Sequence, residues 1–530
     1  MRALPAASII VGGAIVAALA AGIVSPPARA QSSGSAPAPS AAAAAQGPLE
    51  LTVTEAVLMA LEGNRELSVE RLGPDATRTS ETEEMATFDP VLYLDRAGWE
   101  ESRGQKLRGV GLLETYEVAS PVGVLGLGLQ LPTGMSAAIE ASTEVPDEAE
   151  LRQLVQSRIG FEVRQSFLRD MGLEPGLARV RQAQIDTRIS EYELRGFTEE
   201  LVARVEETDW DHALHLSEVR ILEDSIALAT RQLRDTEERV KAGLLGSVEI
   251  AAAKSEIALR TQDLIDARAA AESSRLDLLR LLNPGGEDIW SREVRLTTAL
   301  AAAPEPPGDT AAHVANAMRM RPELNQAQLL LDRDRLELVR TKNGLLPRMD
   351  FFIAAGRSGY SDSFEDSWRN LGPDHYDVFA GLSFEFPVRN RAARARHERA
   401  QSESRQAELS IANLRQLVEL DVRKAFIEIE RAKQILAAAS ETRALDEEKL
   451  TAELEKHRAG RASAFQVARA QRDLARSRIA EATARADTQK ALVDLYRLEG
   501  VLLEKRGVRA PGDPAPAGTP ARTARSGANP

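Results

Sequence analysis

The stretch from Lys241 to Asn283, KAGLLGSVEIAAAKSEIALRTQDLIDARAAAESSRLDLLRLLN, decides the fold because the chain contains it twice. The second copy runs from Arg458 to Gly500, RAGRASAFQVARAQRDLARSRIAEATARADTQKALVDLYRLEG, and aligns with the first without a gap. Another pair of segments repeats as well, since Glu66-Leu67 returns as Glu323-Leu324. The chain is therefore an internal duplication, and both copies are expected to fold into the same elements.

The composition of the 530 residues favours long helices with thin cores over a conventional enzyme. Charged residues make up 28% of the chain, aromatic residues make up 4%, and cysteine is absent. Without cysteine there can be no disulfide framework, no lipid attachment site and no thiolate metal site. The net charge of −13 argues against general nucleic-acid binding, which relies on clustered Lys and Arg.

The beginning of the chain predicts export. Residues 1–30 have a short basic start, an apolar run from Ala6 to Val24 and the sequence Ala28-Arg29-Ala30, which is the order of a secretory signal peptide. A membrane anchor is the alternative, but the apolar run barely has the ~20 residues that a spanning helix needs. Residues 31–48 are rich in Ala, Pro and Ser and predict a disordered linker.

Each copy predicts a short helix, then strands, then a long helical hairpin. Thr52 and Glu55 have the spacing of a capping box at the start of the first helix. Period-two segments that predict strands are residues 88–94 and 158–168 in the first copy and residues 347–356 and 377–386 in the second. Residues 122–131 and 135–142 indicate one more hairpin in the first copy, either in the same sheet or as an external loop.

Long helices follow the strands, and they contain no internal proline. They are predicted from Glu174 to about Arg239 and from Arg391 to about His457. Each is expected to stop at an Ala-Gly pair, at Gly243 or Gly460, because glycine readily adopts the left-handed conformation that ends a helix. Each chain segment then resumes as a return helix near a serine, Ser247 or Ser463, which could cap it.

The duplication also sets the predicted domain boundaries. The expected segments are a signal peptide at 1–30, a linker at 31–48, a first repeat at 49–283, a linker at 284–312, a second repeat at 313–503 and a disordered tail at 504–530.

Neither the strands nor the helices of one chain can bury their apolar surface alone. Four strands are too few for a barrel, which needs about eight, and the long helices have only narrow Ala-rich stripes. Several copies around an axis would close the strands into a β-barrel and the hairpins into a tube. The predicted fold is therefore mainly α with a β-barrel part, assembled as an oligomer.

The chain resembles the TolC-like outer-membrane efflux proteins from about Leu51 to Leu503. The resemblance rests on the duplicated order of elements, the opening L-T-V-T-E-A-V with N-R-E-L, the R-P-E-L of the second copy, and the two A-G turns. It implies a homotrimer with a twelve-stranded transmembrane barrel, to which each copy gives two strands per protomer. The helical hairpins would form an α-barrel that crosses the periplasm.

The same resemblance implies a function and partners. The protein would be a passive export duct in the cell outer membrane, extending into the periplasm, as the channel of a tripartite efflux pump or a type I secretion system. A periplasmic adaptor and an inner-membrane pump would be its partners, and outer-membrane lipid would surround it. The competing hypothesis is a periplasmic coiled-coil scaffold or adaptor without a channel of its own, for which paired strands in both copies serve no purpose.

Site residues also follow from the resemblance, which places both Ala-Gly turns at the periplasmic tip. The expected adaptor contacts are Val240, Lys241, Gly243, Leu244, Arg458, Gly460 and Arg461. A gate is expected just beyond, where three copies of Phe465 could exclude water from the tunnel or, alternatively, pack between helices. Val248 is the counterpart of Phe465 in the first copy. Arg469 occupies a position where relatives commonly place an Asp, and it would favour anions.

No pattern predicts catalysis or a bound cofactor. The sequence has no Walker loop, dinucleotide-binding fingerprint or H-E-x-x-H motif. His212 and His215 are three residues apart with Asp209 and Asp211 nearby, but such pairs are usually solvated helix positions rather than metal ligands. The chain is therefore predicted to be no enzyme and to have no metal site.

Overall fold

The computed structural model describes residues 48–108, 112–146, 154–243, 246–285, 288–297, 308–459 and 461–509. The predicted signal peptide and the predicted linker up to residue 47 lie outside these ranges, as do the predicted contact residues Leu244 and Gly460. Within the described ranges, no helix combines the length and the apolar character needed to cross a membrane.

Among the described residues the strands belong to two sheets. They are β1 Leu49–Leu51, β2 Val91–Arg108, β3 Leu112–Gln130, β4 Met135–Glu144, β5 Val155–Ser166, β6 Val294–Leu296, β7 Arg348–Ser361 and β8 Tyr376–Glu385. β1 pairs only with β6, in parallel. The other six strands form one antiparallel sheet in the order β2-β3-β4-β5-β7-β8.

Helices make up most of the rest of the described chain. They are α1 Val53–Gly63, α2 Arg65–Glu70, α3 Leu72–Met85, α4 Leu173–Gly176, α5 Ala178–Lys241, α6 Val248–Leu282, α7 Thr310–Met320, α8 Pro322–Asn343, α9 Phe364–Arg369, α10 Arg391–Arg458, α11 Ala464–Glu499 and α12 Leu502–Lys505. The two long helices, α5 and α10, have 64 and 68 residues, so both predicted helical hairpins are present.

The chain divides into two compact units. The sheet unit contains residues 80–183 and 333–404, and the helical unit contains residues 48–79, 184–332 and 405–509 of the described chain. Both repeats contribute to both units. The duplication therefore does not correspond to two separate domains, because each copy supplies strands to one unit and a hairpin to the other.

The sheet corrects the expectation of two strands from each copy. The first copy contributes four strands, β2 to β5, and the second contributes two, β7 and β8. The additional hairpin predicted near residues 122–142 is β3 and β4, and it lies inside the sheet. It forms because the turn at 131–134 suits a hairpin: Gly134 has a φ of +83°, and its N–H donates to the Leu131 carbonyl at 3.1 Å.

The helical unit has one large apolar cluster and several small ones. The largest surrounds Leu67, Leu201, Leu278 and Leu502, all of which are buried. Smaller clusters follow the hairpins and combine alanines with larger side chains, such as Ala482 and Ala486 with Leu214. Thin cores of this kind fit the predicted Ala-rich stripes.

Order extends beyond two of the predicted boundaries. The predicted linker 284–312 includes β6, which pairs with β1 at the start of the first repeat, and the first residues of α7. The predicted tail from residue 504 begins inside α12, and Arg506 forms a two-pronged ion pair with the buried Glu206 at 2.5 and 2.6 Å. The pairing partners are distant in sequence, which is why local composition did not reveal them.

Candidate functional site at the hairpin ends and the sheet

The first hairpin end lies between α5 and α6. Gly243 has a φ of +71°, as predicted for a helix-ending glycine, and its N–H donates to the Val240 carbonyl at 3.0 Å. Lys241 and Gly243 are exposed and Val240 is half-buried. Ser247 has helical dihedral angles and its side chain makes no capping hydrogen bond, so the expectation that it caps α6 is wrong.

The second hairpin end, between α10 and α11, is tied down more firmly. Ser463 and Gln466 form a reciprocal capping box at the start of α11, which confirms the predicted cap. The Arg461 N–H donates to the Lys456 carbonyl at 2.8 Å, and the Arg461 side chain is exposed. Arg458 is also exposed and its guanidinium pairs with Glu455 at 2.7 Å.

His457 connects the second end to the first hairpin, and the sequence did not point to it. Its side chain is buried, and Nδ1 donates to the Ala462 carbonyl at 2.8 Å. Its Nε2 lies 3.2 Å from Arg239 Nη1, which makes this nitrogen an acceptor. The alignment of the two copies contained one signal for His457, because it places this polar residue at the position of the apolar Val240 in the first copy.

The predicted gate residues are exposed in the isolated chain. Phe465 is 63% exposed and Val248 is 77% exposed. Phe465 lines a groove of about 240 Å³ together with Glu249 and Ala252 of α6. Arg469, one turn further along α11, is exposed as well.

A buried arginine holds α5, α6 and α11 together above this groove. Arg260 of α6 is 4% exposed, and its guanidinium donates to the Ser225 carbonyl of α5 at 2.9 Å and to Glu256 at 3.1 Å. Glu256 also accepts from Arg472 of α11 at 2.7 Å. Burial lowers the pKa of Arg260, while its bond to Glu256 opposes that shift. This network was not predicted, because nothing in local sequence marks one arginine of a charged helix as buried.

His212 and His215 do not share a site. His212 is buried and its Nδ1 lies 2.9 Å from Ser274 Oγ, whereas His215 pairs with Glu218 at 3.1 Å. Burial lowers the pKa of His212 to about 4. Burial, with a smaller effect from the nearby Glu206, raises the pKa of Asp209 to about 7. No group of three or more potential metal ligands occurs in the described ranges.

On one face of the six-stranded sheet, a row of apolar side chains crosses every strand. Cross-strand partners share a face, and one row of partners crosses all six strands: Leu92, Leu127, Ile139, Phe161, Ala355 and Val378. Most of these side chains are exposed in the isolated chain. A sheet with such a face needs a cover of apolar material, either protein or lipid.

The adjacent row lies on the opposite face and carries polar groups and glycines. The Tyr93 hydroxyl bonds to Glu140, and the phenol ring lies over Gly126, where any Cβ would overlap it. On the neighbouring strands the Arg158 guanidinium lies against Gly356 and pairs with Asp377 at 2.7 Å. Alternation of apolar and polar residues along the strands is typical of a sheet that separates apolar surroundings from water.

Comparison with known proteins agrees with the sequence resemblance. The family model described as outer membrane efflux protein matches residues 314–501. No curated protein sequence matches the chain. Solved structures with a similar fold include the CmeC outer membrane channel of Campylobacter jejuni, with 12% identity, a TM-score of 0.62, and coverage of 85% of this chain and 86% of that one.

Two further channels are similar. The outer membrane protein VceC of Vibrio cholerae has 11% identity and a TM-score of 0.62, with coverage of 84% of this chain and 96% of that one. The open state of the MtrE outer membrane channel of Neisseria gonorrhoeae has 16% identity and a TM-score of 0.57, with coverage of 85% and 89%. At these identities the likeness shows a shared fold, and the match to the family model lies in the second repeat.

Proposed function

Because residues 314–501 match the outer membrane efflux proteins and the chain has the fold of outer-membrane channels, we propose that it is the outer-membrane channel of an export system. It would serve a tripartite efflux pump or a type I secretion system as a passive duct. The observation that carries this proposal is the two-faced sheet, whose apolar face suits outer-membrane lipid and whose polar face suits a water-filled lumen. In the homotrimer, the sheets close into a β-barrel and the hairpins into an α-barrel that crosses the periplasm.

The competing hypothesis was a periplasmic scaffold or adaptor without a channel. A protein that stays in water would expose the row of side chains from Leu92 to Val378 at a large cost in free energy, about 25 cal/mol for each Å². The sheet therefore favours the channel. The family model describes efflux proteins rather than a class of enzymes, which agrees with the absence of catalytic motifs from the sequence.

The channel proposal is tested in planar lipid bilayers with the purified protein, expressed from the full sequence and freed of its predicted signal peptide. We expect stable trimers in detergent and discrete conductance steps after insertion. A monomeric protein that gives no conductance and stays out of lipid vesicles would overturn the proposal and favour the scaffold.

The adaptor would dock on the two hairpin ends. Support comes from the exposure of Lys241, Arg458 and Arg461, which place basic side chains at both ends. A photo-crosslinking residue placed at Arg461 in intact cells should capture one periplasmic adaptor. The matched control is Glu408, which is exposed on α10 far from the end. Equal capture at both positions would contradict the assignment.

A further inference from the structure

The hairpin formed by β3 and β4 is an integral part of the sheet. β4 pairs with β5 continuously from Met135 opposite Gln165 to Glu144 opposite Gln156. On its other side, β3 pairs with β4 from Gly123 to Gln130 and with β2 over almost its whole length. The sheet would be split between β2 and β5 if the hairpin were elsewhere.

The turn of this hairpin is also fixed in place. The Gly172 N–H donates to the Thr133 carbonyl at 3.1 Å, and the Ser166 N–H donates to the Gly134 carbonyl at 3.1 Å. Gly176 of α4 approaches the turn so closely that a Cβ there would overlap the Pro132 carbonyl. The turn therefore packs on the segment that leads from β5 into the long helix α5, and it cannot swing away as an external loop.

The two faces continue through the hairpin without interruption. Ile139 of β4 stands between Leu127 and Phe161 on the apolar face, and Glu140 stands between Gly126 and Gly160 on the polar face. A one-residue slip would have reversed the two faces on these strands. The strand register of the hairpin is therefore the one expected if β3 and β4 form part of the barrel wall.

The outer strands β2 and β8 each have one edge without a partner strand among the described residues. Their outward side chains remain exposed, as for Leu92 at 62% and Leu382 at 68%. Because neighbouring strands of the sheet are antiparallel, the first strand β2 and the sixth strand β8 run in opposite directions. β8 of one copy can therefore pair antiparallel with β2 of the next. Long exposed edges of this kind attract further strands unless they are paired, and a repeated head-to-tail contact can close into a ring.

We propose that three copies of this chain close their sheets into an eighteen-stranded barrel, with β2 of each protomer paired to β8 of its neighbour. The proposal rests on the trimeric channel proposed above, and it replaces the twelve strands that the resemblance implied. With strands about 4.8 Å apart and a usual tilt, eighteen strands give ~36 Å between opposite backbones, against ~24 Å for twelve. The polar face with Glu140, Arg158 and Asp377 lines this wider mouth, which suits bulky polar cargo.

Thiol accessibility tests whether β4 forms part of the wall, and the natural absence of cysteine makes every introduced thiol unique. The full-length variants Ile139→Cys and Ala138→Cys probe the two faces of β4 in lipid nanodiscs, with a water-soluble maleimide as the probe. The matched controls Phe161→Cys and Glu162→Cys probe β5, which borders the lumen whether or not the hairpin belongs to the wall. Each variant must first form the same trimer as the parent protein.

We expect Ala138→Cys to react at least about tenfold faster than Ile139→Cys, as for the control pair, because the thiol of the outward position is covered by lipid. Equal rates on β4 with alternating rates on β5 would place the hairpin outside the wall and overturn the eighteen-stranded barrel while leaving the channel intact. Equal rates on both strands would overturn the channel itself. The two failures are therefore distinguishable.

Oxidative cross-linking tests the closure. Leu92→Cys is combined in turn with Val378→Cys, Ala380→Cys, Leu382→Cys and Phe384→Cys, which scan the register between β2 and β8. At least one pair should give a covalent trimer upon oxidation, and each single variant should not. If no pair yields dimers or trimers in a protein that is trimeric in solution, the proposed β2–β8 contact is wrong.

Discussion

The two helical hairpins come from copies of one sequence unit, yet their ends are held differently. At the first end, Ser247 makes no capping hydrogen bond and the Val248 side chain is exposed. The second has a capping box at Ser463, and the buried His457 ties it to α5 of the first hairpin. The difference shows that duplication preserved helix lengths while the side chains at the turns diverged, so that the second end has a helix cap and a buried histidine contact that the first end lacks.

The hairpins differ in their interiors as well. The offset that aligns Lys241 with Arg458 places Asp209 and His212 opposite Phe426 and Ile429. The latter two pack in an apolar cluster, whereas both Asp209 oxygens and His212 Nε2 are buried without a hydrogen-bond partner in the described part of the chain. At these two aligned positions, the first hairpin therefore carries buried polar atoms without a hydrogen-bond partner among the described residues, and the second hairpin carries apolar side chains. Substitutions at the contact between the two hairpins and at the positions where they differ test these features, with the largest expected effect on the free energy of unfolding first.

The largest effect is expected for Arg260→Gln. Loss of the guanidinium removes the donor to the Ser225 carbonyl and hydroxyl and to the Ala468 carbonyl in a buried site, which should lower the free energy of unfolding by about 3 kcal/mol. The matched control is Arg268→Gln on the same helix, where an exposed pair with Glu223 should contribute less than about 1 kcal/mol. Urea unfolding followed by helical circular dichroism measures both, and similar losses for the two variants would contradict the role of Arg260.

The next effect depends on pH. Because the pKa of Asp209 is raised from 3.8 to about 7 in the folded chain, the folded state binds the proton more tightly, and stability falls as the pH rises towards 7. Asp209→Asn should remove the contribution of Asp209 to that fall and stabilise the protein by about 2 kcal/mol at pH 8. The lowered pKa of His212 acts in the opposite sense, reducing stability as the pH falls from 6.5 towards 4, and it remains in the variant.

Unfolding of the parent and Asp209→Asn at a series of pH values separates the two contributions. The exposed Asp224→Asn controls for the change in net charge. A variant whose stability still falls between pH 5 and 7 like that of the parent would show that Asp209 does not carry the effect.

A smaller effect is expected at the caps. Ser463→Ala removes the hydroxyl that accepts from the Gln466 N–H and should cost about 1 kcal/mol. Ser247→Ala should change the free energy of unfolding by only a few tenths of a kcal/mol, since Ser247 makes no capping bond. Equal losses in the free energy of unfolding would mean that both serines stabilise their helices equally, which would contradict the difference in capping.

The smallest effect on stability is expected for Phe465→Ala, because the ring is exposed and such changes cost less than about 0.5 kcal/mol. Its effect should appear in conductance, which should rise severalfold in planar bilayers if three rings keep water out of the tunnel. Val248→Ala at the first end is the matched comparison and should change conductance less. An unchanged conductance for Phe465→Ala would remove it from the gate.

Much of the fold could be predicted from the sequence. The long helices differ from their predicted starts and ends by at most about four residues, because absent prolines and the Ala-Gly pairs are local signals. The turn at Gly243 and the caps at Thr52 and Ser463 were also predictable, since each depends on neighbours within three residues. The predicted contact and gate residues remain hypotheses about an assembly.

Other features could not be found in this way. Arg260 and His457 look like ordinary charged positions of a solvated helix, and only their burial against α5 and α11 sets them apart. Likewise, alternation predicts that β3 and β4 are strands, but it does not say which strands they pair with. Strand pairing is decided by contacts between residues that are far apart in the chain.

By itself, the sequence determined the duplication, the helix lengths and the turns, because these depend on residues within one or two helical turns of each other. The tertiary structure alone decided that β3 and β4 lie inside a six-stranded sheet, that a row of apolar side chains crosses all six strands on one face, and that the two hairpin ends differ. Those properties come from the register between strands and the packing between helices, which involve pairs of residues up to hundreds of positions apart.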